Sequence, residues 1–297
     1  MIFWGLNWAI CLNSLKAVDM GGSIVIHVFG CYYGLAASWW FNPKGAAKTE
    51  ANASNHNSEI IALVGSIFLW LYWPSFNGAM AQEGDQQQRV ICNTNLSIAA
   101  GCVGAALLSR IYHGKLEMTI VMNATLAGGV AIGTASDLVA NPATAMWIGM
   151  IAGTWSAFGF EKIGPYLAEK INLQDTCGVN SLHGMPGIIG GLASFFVLAS
   201  WPADNGNFGQ NYIPHAAKHQ AMTQIFALLI TILIALASGN LMGWICKNSI
   251  FSPPEILFKD DEHFVNVYDR YNDENKALNG VPSGEEDETK PSAVELN

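Results

Sequence analysis

Asp19-Met-Gly-Gly22-Ser-Ile-Val-Ile-His27-Val-Phe-Gly30 decides the reading of this chain, because its skeleton returns as Asp175-Thr-Cys-Gly178-Val-Asn-Ser-Leu-His183-Gly-Met-Pro-Gly187. In both stretches a glycine follows the aspartate by three positions and a histidine follows it by eight. Three shared residues are weak evidence in a chain with 30 glycines. The setting adds the weight, since each stretch opens onto a long apolar run.

Such runs fill the chain. A bilayer core of ~30 Å takes about 20 apolar residues per helix, and apolar runs lie near 1–17, 22–40, 59–80, 91–110, 118–139, 143–162, 182–201 and 220–246. These are eight expected spans, the first the weakest because Asn7 and Asn13 interrupt it. Polar breaks at Asn42 to Asn57, Gln82 to Arg89, Arg110 to Lys115, Lys170 to Asp175 and Asp204 to Lys218 read as loops. The composition agrees: 51% of residues are hydrophobic and 12% charged, against about a quarter charged in a soluble domain. An all-α polytopic membrane protein is the expected class. MIFWGLNWAI offers neither a basic start nor a small-residue cleavage site, so insertion is expected to rely on the spans themselves.

Charge divides the chain in two. Residues 250–297 hold 4 basic and 12 acidic side chains, leaving 10 and 11 for the body. We therefore expect a transmembrane domain over 1–249 and an acidic, largely disordered tail over 250–297, in which only Ile256 to Tyr268 would dock or form a short helix. Within the body, one set of alternate loops carries Lys44, Lys48, Arg110, Lys115, Lys162, Lys170 and Lys247, and the other carries Lys16, Arg89 and Lys218. The richer set belongs in the cytoplasm, and the tail with it. A near-neutral body without a basic stripe argues against nucleic acid as a partner.

That orientation sends the His27 helix inward and the His183 helix outward, as in the inverted repeats from which transporters build midplane sites. Each aspartate stands where a carboxylate caps freed helix N–H groups and meets the positive end of the dipole. Eight residues of helix advance about 12 Å, so two such helices entering a ~30 Å core from opposite faces bring both histidines near its centre. Two neutral imidazoles at one depth satisfy each other, one nitrogen donating and the other accepting. The plainer reading of either histidine is a core residue bonded to a neighbouring carbonyl, and intramembrane ionisable groups at matching offsets weigh against it. Asp19 and Asp175 read first as caps and helix-end anchors, with a direct substrate role as the alternative. Phe76 lies beside Trp70, Tyr72 and Trp73, where the residues alone suggest an interfacial aromatic.

Glycine pairs four apart, Gly30/Gly34, Gly129/Gly133, Gly149/Gly153, Gly187/Gly191 and Gly239/Gly243, predict close helix packing inside one bundle. The six cysteines have no metal-ligand spacing and read as buried thiols, so no metal site, disulfide framework or cofactor is expected. Neither a nucleophile cluster nor a metal cluster points to an enzyme.

The stretches quoted first, with Phe68-Leu-Trp-Leu-Tyr-Trp-Pro-Ser-Phe76-Asn and Asn123-Ala-Thr-Leu-Ala-Gly-Gly-Val-Ala-Ile-Gly-Thr134, resemble the Rh glycoproteins of the ammonium transporter superfamily. The similarity runs from about residue 1 to 250, and the tail matches only loosely. The resemblance implies an ammonium-transporter fold with inverted repeats, present here in part, as about eight of eleven to twelve spans of an N-terminally truncated chain. It implies a homotrimer, or an Rh-type hetero-oligomer, in the plasma membrane, each subunit with its own narrow apolar pore. His27 and His183 match the twin pore histidines, Phe76 matches an outer-gate phenylalanine, and Asp19 and Asp175 match the acidic residues ahead of the histidines. The expected function is channel-like passage of ammonia drawn from ammonium, with carbon dioxide as a second small neutral substrate. The alternative is a non-conducting Rh-type scaffold that assembles through its tail with a cytoplasmic partner.

Overall fold

The structure, a computed structural model, describes residues 1–41, 46, 49, 52–201 and 213–247. The chain divides into two units, Met1–Pro253 and Pro254–Asn297. The acidic tail, Lys44, Lys48 and most of the loop after Trp201 lie outside the described residues, and with them the expectations placed there.

Among the described residues the regular structure is all helix. Ten α-helices, α1 (Ile2–Trp8), α2 (Phe29–Phe41), α3 (His56–Asn77), α4 (Asp85–His113), α5 (Met118–Ala124), α6 (Ala127–Gly133), α7 (Pro142–Phe158), α8 (Gly164–Ile171), α9 (Met185–Ala199) and α10 (Ala217–Cys246), alternate with π-helical turns at Ala9–Ser14, Ser23–Val28, Gly159–Ile163 and Asn180–Gly184. Every predicted span is occupied by such helical segments. Among the described residues four helices, His56–Asn77, Asp85–His113, Asn180–Ala199 (a π turn running into α9) and Ala217–Cys246, are long and apolar enough to cross a bilayer. The other runs are broken by turns or change pitch, and α7 continues through its π turn into α8, past the predicted end at Lys162.

Local chemistry sets the ends. Asn55 and Ser58 form a reciprocal capping box at the start of α3, where each side chain meets the other residue's backbone N–H. Asn141 caps α7 by accepting from Ala143 N–H, with Pro142 in the first turn, where a missing donor costs nothing. Gly114 stops α4 at φ +68, a left-handed conformation that favours glycine.

α6 sits at the centre of the bundle, its seven residues all buried between α4, α7 and α9. Its Ala-Gly-Gly-Val-Ala-Ile-Gly sequence explains the place, because small side chains admit neighbouring backbones closely enough for buried polar groups to reach carbonyls. Ser97 Oγ donates to Gly128 O (2.7 Å), and Asn93 Nδ2 donates to Ser136 O and Val139 O (2.8 Å each) just beyond α6. Such internal satisfaction is what a lipid environment demands.

The glycine pairs behave unequally. A methyl group added at Gly149 or Gly153 would overlap the carbonyls of Ser97 or Gly101 on α4, and Gly239 and Gly243 meet the backbone of α2 at Tyr33 and Ala37. Gly30 and Gly34 have nothing within 4 Å and face outward. Cysteine needs a correction: Cys11 and Cys31 are buried, whereas Cys92 and Cys177 are exposed, because their positions fall on outward helix or turn faces that run length alone does not distinguish. Trp147, Ile151 and Trp155 of α7 and Phe226, Leu229 and Leu233 of α10 are also exposed, an apolar exterior suited to hydrocarbon.

Candidate functional site

Asp19 starts the site. Its carboxylate accepts from Ile24 N–H (3.1 Å) and Val25 N–H (2.8 Å), the freed donors at the start of the Ser23–Val28 turn, and from Thr134 Oγ (2.5 Å). Gly22 between them has φ +72. Asp175 repeats the device, accepting from Val179 N–H (2.8 Å) and Asn180 N–H (2.7 Å), with Gly178 at φ +66. The sequence echo is thus a local structural echo: aspartate, left-handed glycine, π turn, histidine. Asp19 is buried and Asp175 partly so. Burial pushes the Asp175 carboxyl up from its ordinary range, against the lowering effect of the Asn180, Val179 and Gly178 N–H groups.

Both histidines fall inside π turns, a wider coil often found at functional positions. The two segments pack antiparallel: Gly184 faces Cys31 and Tyr32, Gly187 faces Val28 and Ser23, and Gly190 faces Ser23. That crossing brings His27 Nδ1 to 3.1 Å from His183 Nδ1, with the rings 2° from parallel. One nitrogen must carry the proton and the other accept it. His27 Nε2 is buried and has no hydrogen-bond partner among the described residues.

Trp73, which the sequence alone groups with interfacial aromatics, belongs here. Trp73 is buried and lies nearly parallel to both imidazoles, with ring centroids 5.8 Å from His27 and 6.5 Å from His183. Phe76, one turn on, meets His27 edge-on at 5.8 Å and remains partly exposed. The signal was the three-residue spacing that puts Trp73 and Phe76 on one helix face; burial of Trp73 also needs Gly129, whose missing side chain makes room for the indole. Around Trp73 pack Ile98, Leu126, Val130 and Leu182, an apolar shell. Ser23 was missed too: its Oγ donates to Val130 O (2.6 Å) and accepts from Thr134 N–H (2.7 Å), tying the His27 turn to the end of α6. Among the described residues no cluster of three His, Cys, Asp or Glu side chains offers a metal site. His113 pairs with Glu161, and His215 bonds Leu15 O, both away from the twin rings.

The family model described as the Ammonium Transporter Family matches residues 1–255. The chain belongs to the ammonium transporter family. Within it the chain sits with the Rh branch: it is 39% identical over 254 residues to ammonium transporter Rh type C of Rattus norvegicus, covering 82% of this chain and 51% of that protein. Against ammonium transporter Rh type C of Homo sapiens the identity is 38%, over 86% of this chain and 57% of the relative. The chain therefore spans about half the length of the curated relatives it matches. Among solved structures, Nitrosomonas europaea Rh50, described with the conduction mechanism of the Rhesus family of channels, superposes with a TM-score of 0.69 at 29% identity, covering 94% of this chain and 70% of that one. A sensor Amt protein shares the fold at a TM-score of 0.67 and 24% identity, over 86% of this chain and 61% of that one. The family is one of membrane transporters, and the all-helical bundle is a partial ammonium-transporter fold.

Proposed function

We propose that this chain carries a channel-like path for ammonia, drawn from ammonium at the outer face and passed as the neutral species between His27, His183 and their apolar surround. The observation that carries the proposal is the pair of parallel imidazoles, Nδ1 to Nδ1 3.1 Å, against Trp73 and Phe76. The physical reason is desolvation. A bare cation in a low-dielectric passage costs several kcal/mol even after relaxation, and among the described residues no cluster of anions cages the pair. A small neutral amine loses far less, and the unpartnered His27 Nε2 gives it a hydrogen-bond partner. Carbon dioxide, equally small and neutral, fits the same passage as a second substrate.

In this reading Phe76 is the outer gate, and Asp19 and Asp175 hold the two histidine turns. The transmembrane domain covers 1–249, the tail 250–297 is cytoplasmic and open to a protein partner, and the protein works as a trimer of the Rh type in the plasma membrane. Uptake of ammonia into proteoliposomes, followed as a rise in internal pH, tests the proposal. Flux should exceed that of protein-free vesicles and fall when Phe76→Trp narrows the entrance. Flux equal to protein-free vesicles would favour a non-conducting scaffold.

A further inference from the structure

α10 is apolar over most of its length, yet Gln220 and Gln224, one turn apart, are wholly buried in it. Both face the stretch between the Ala9–Ser14 and Ser23–Val28 turns, where the backbone leaves the helix and Lys16 takes a left-handed φ of +57. Peptide groups in such a break have no helical partners and must find others. Gln224 serves both backbone groups of one residue: its Oε1 accepts from Val18 N–H (3.0 Å) and its Nε2 donates to Val18 O (2.6 Å). The same Nε2 donates to Ser194 Oγ on α9 (3.1 Å). Gln220 Nε2 donates to Lys16 O (3.0 Å) and to Gln224 Oε1 (3.3 Å).

The clamped residue adjoins Asp19, which caps Ile24 and Val25; His27 N–H then bonds Gly22 O (3.0 Å) within the same turn. We infer that Gln224 is a positioning residue for His27: its amide fixes Val18, Val18 fixes Asp19, and Asp19 sets the turn that aims the imidazole at His183. The inference rests on the twin-histidine reading of the site. An ordinary core residue would need only volume, whereas this position needs a donor and an acceptor at one side-chain end.

The test uses the chain in lipid bilayers with nitrogen-15-labelled histidine, reading the Nδ1 resonances of His27 and His183 by solid-state NMR. Gln224→Met, similar in length but apolar, should cut the hydrogen-bonded population roughly tenfold by leaving the N–H and C=O of Val18 unmet. Gln224→Glu supplies the chemical rescue. A protonated carboxyl can accept from Val18 N–H and donate to Val18 O, and an ionised one cannot donate. The pair should therefore persist at acidic pH and be lost at alkaline pH in Gln224→Glu, beyond any change the wild type shows over the same range. An unaltered pair in folded Gln224→Met, or a Gln224→Glu titration identical to wild type, overturns the inference. If Gln224→Met does not fold, the Gln224→Glu titration decides alone. Wild-type flux on the same samples separates the readings, since a formed pair without flux contradicts transport and leaves the clamp standing.

Discussion

Asp19 and Asp175 each cap a π turn, but only Asp19 is fully enclosed, and its oxygens serve Ile24, Val25 and Thr134 together. Asp19→Asn keeps the shape and turns one acceptor into a donor facing N–H groups. A cost of about 2 kcal/mol is expected from that mismatch, read as a lower unfolding temperature in detergent; Asp175→Asn, more exposed, should cost about 1 kcal/mol. A well-folded Asp19→Asn with altered substrate selectivity would instead place Asp19 in the substrate path. Asp175 also predicts a pH dependence. Burial raises its folded value above the ordinary 3.8, so the folded chain holds the proton longer than the unfolded one. Its stabilising contribution is complete below 3.8 and is lost as pH rises through the folded value. Amide exchange at Val179 and Asn180, corrected for intrinsic rate, should quicken over that window in the wild type and stay flat in Asp175→Asn. Equal slopes in the two proteins would remove Asp175 from the account.

At the scale of elements, the sequence reading and the structure agree where chemistry is written in spacing. The Asp-Gly-His echo was legible because capping and left-handed glycine leave residue signatures, and both turned up as the same turn twice. The π turns were not legible, since an apolar run has the same composition whether its pitch is α or π. Trp73 was misplaced because its burial depends on Gly129, 56 positions later in the chain. Gln224 went unnoticed because hydropathy averages a clamp into its apolar neighbours. Glycine spacing was informative only in part, and that gives a paired prediction. Gly149→Leu, whose side chain would enter the α4 backbone at Ser97, should collapse the yield of folded monodisperse protein. Gly30→Ala, where nothing lies within 4 Å, should be neutral or gain roughly 0.5–1 kcal/mol in helix preference. Equal losses in both would mean that the Gly30 face is covered in the membrane as tightly as the Gly149 face is here.

Lys and Arg are distributed asymmetrically between alternate loops, which predicts a cytoplasmic C-terminus. A tag placed after Asn297 should resist protease added outside intact cells, and its cleavage would reverse the topology and the inward and outward assignment of the two histidine helices. Deleting residues 260–297, which carry much of the acidic charge, should change where the protein accumulates or what it binds while leaving flux per molecule intact. Lost flux at unchanged surface level would tie the tail to the passage or the assembly.

If His27 and His183 act as one unit, a double-mutant cycle on flux reveals their coupling. Ammonia and methylammonium uptake into proteoliposomes is measured for wild type, His27→Ala, His183→Ala and the double variant. Rings that share the 3.1 Å hydrogen bond leave a polar group unmet when either is removed alone, so the double variant should lose less than the two single losses combined. Strictly additive losses, or single variants with unchanged flux and selectivity, would contradict the twin-histidine account.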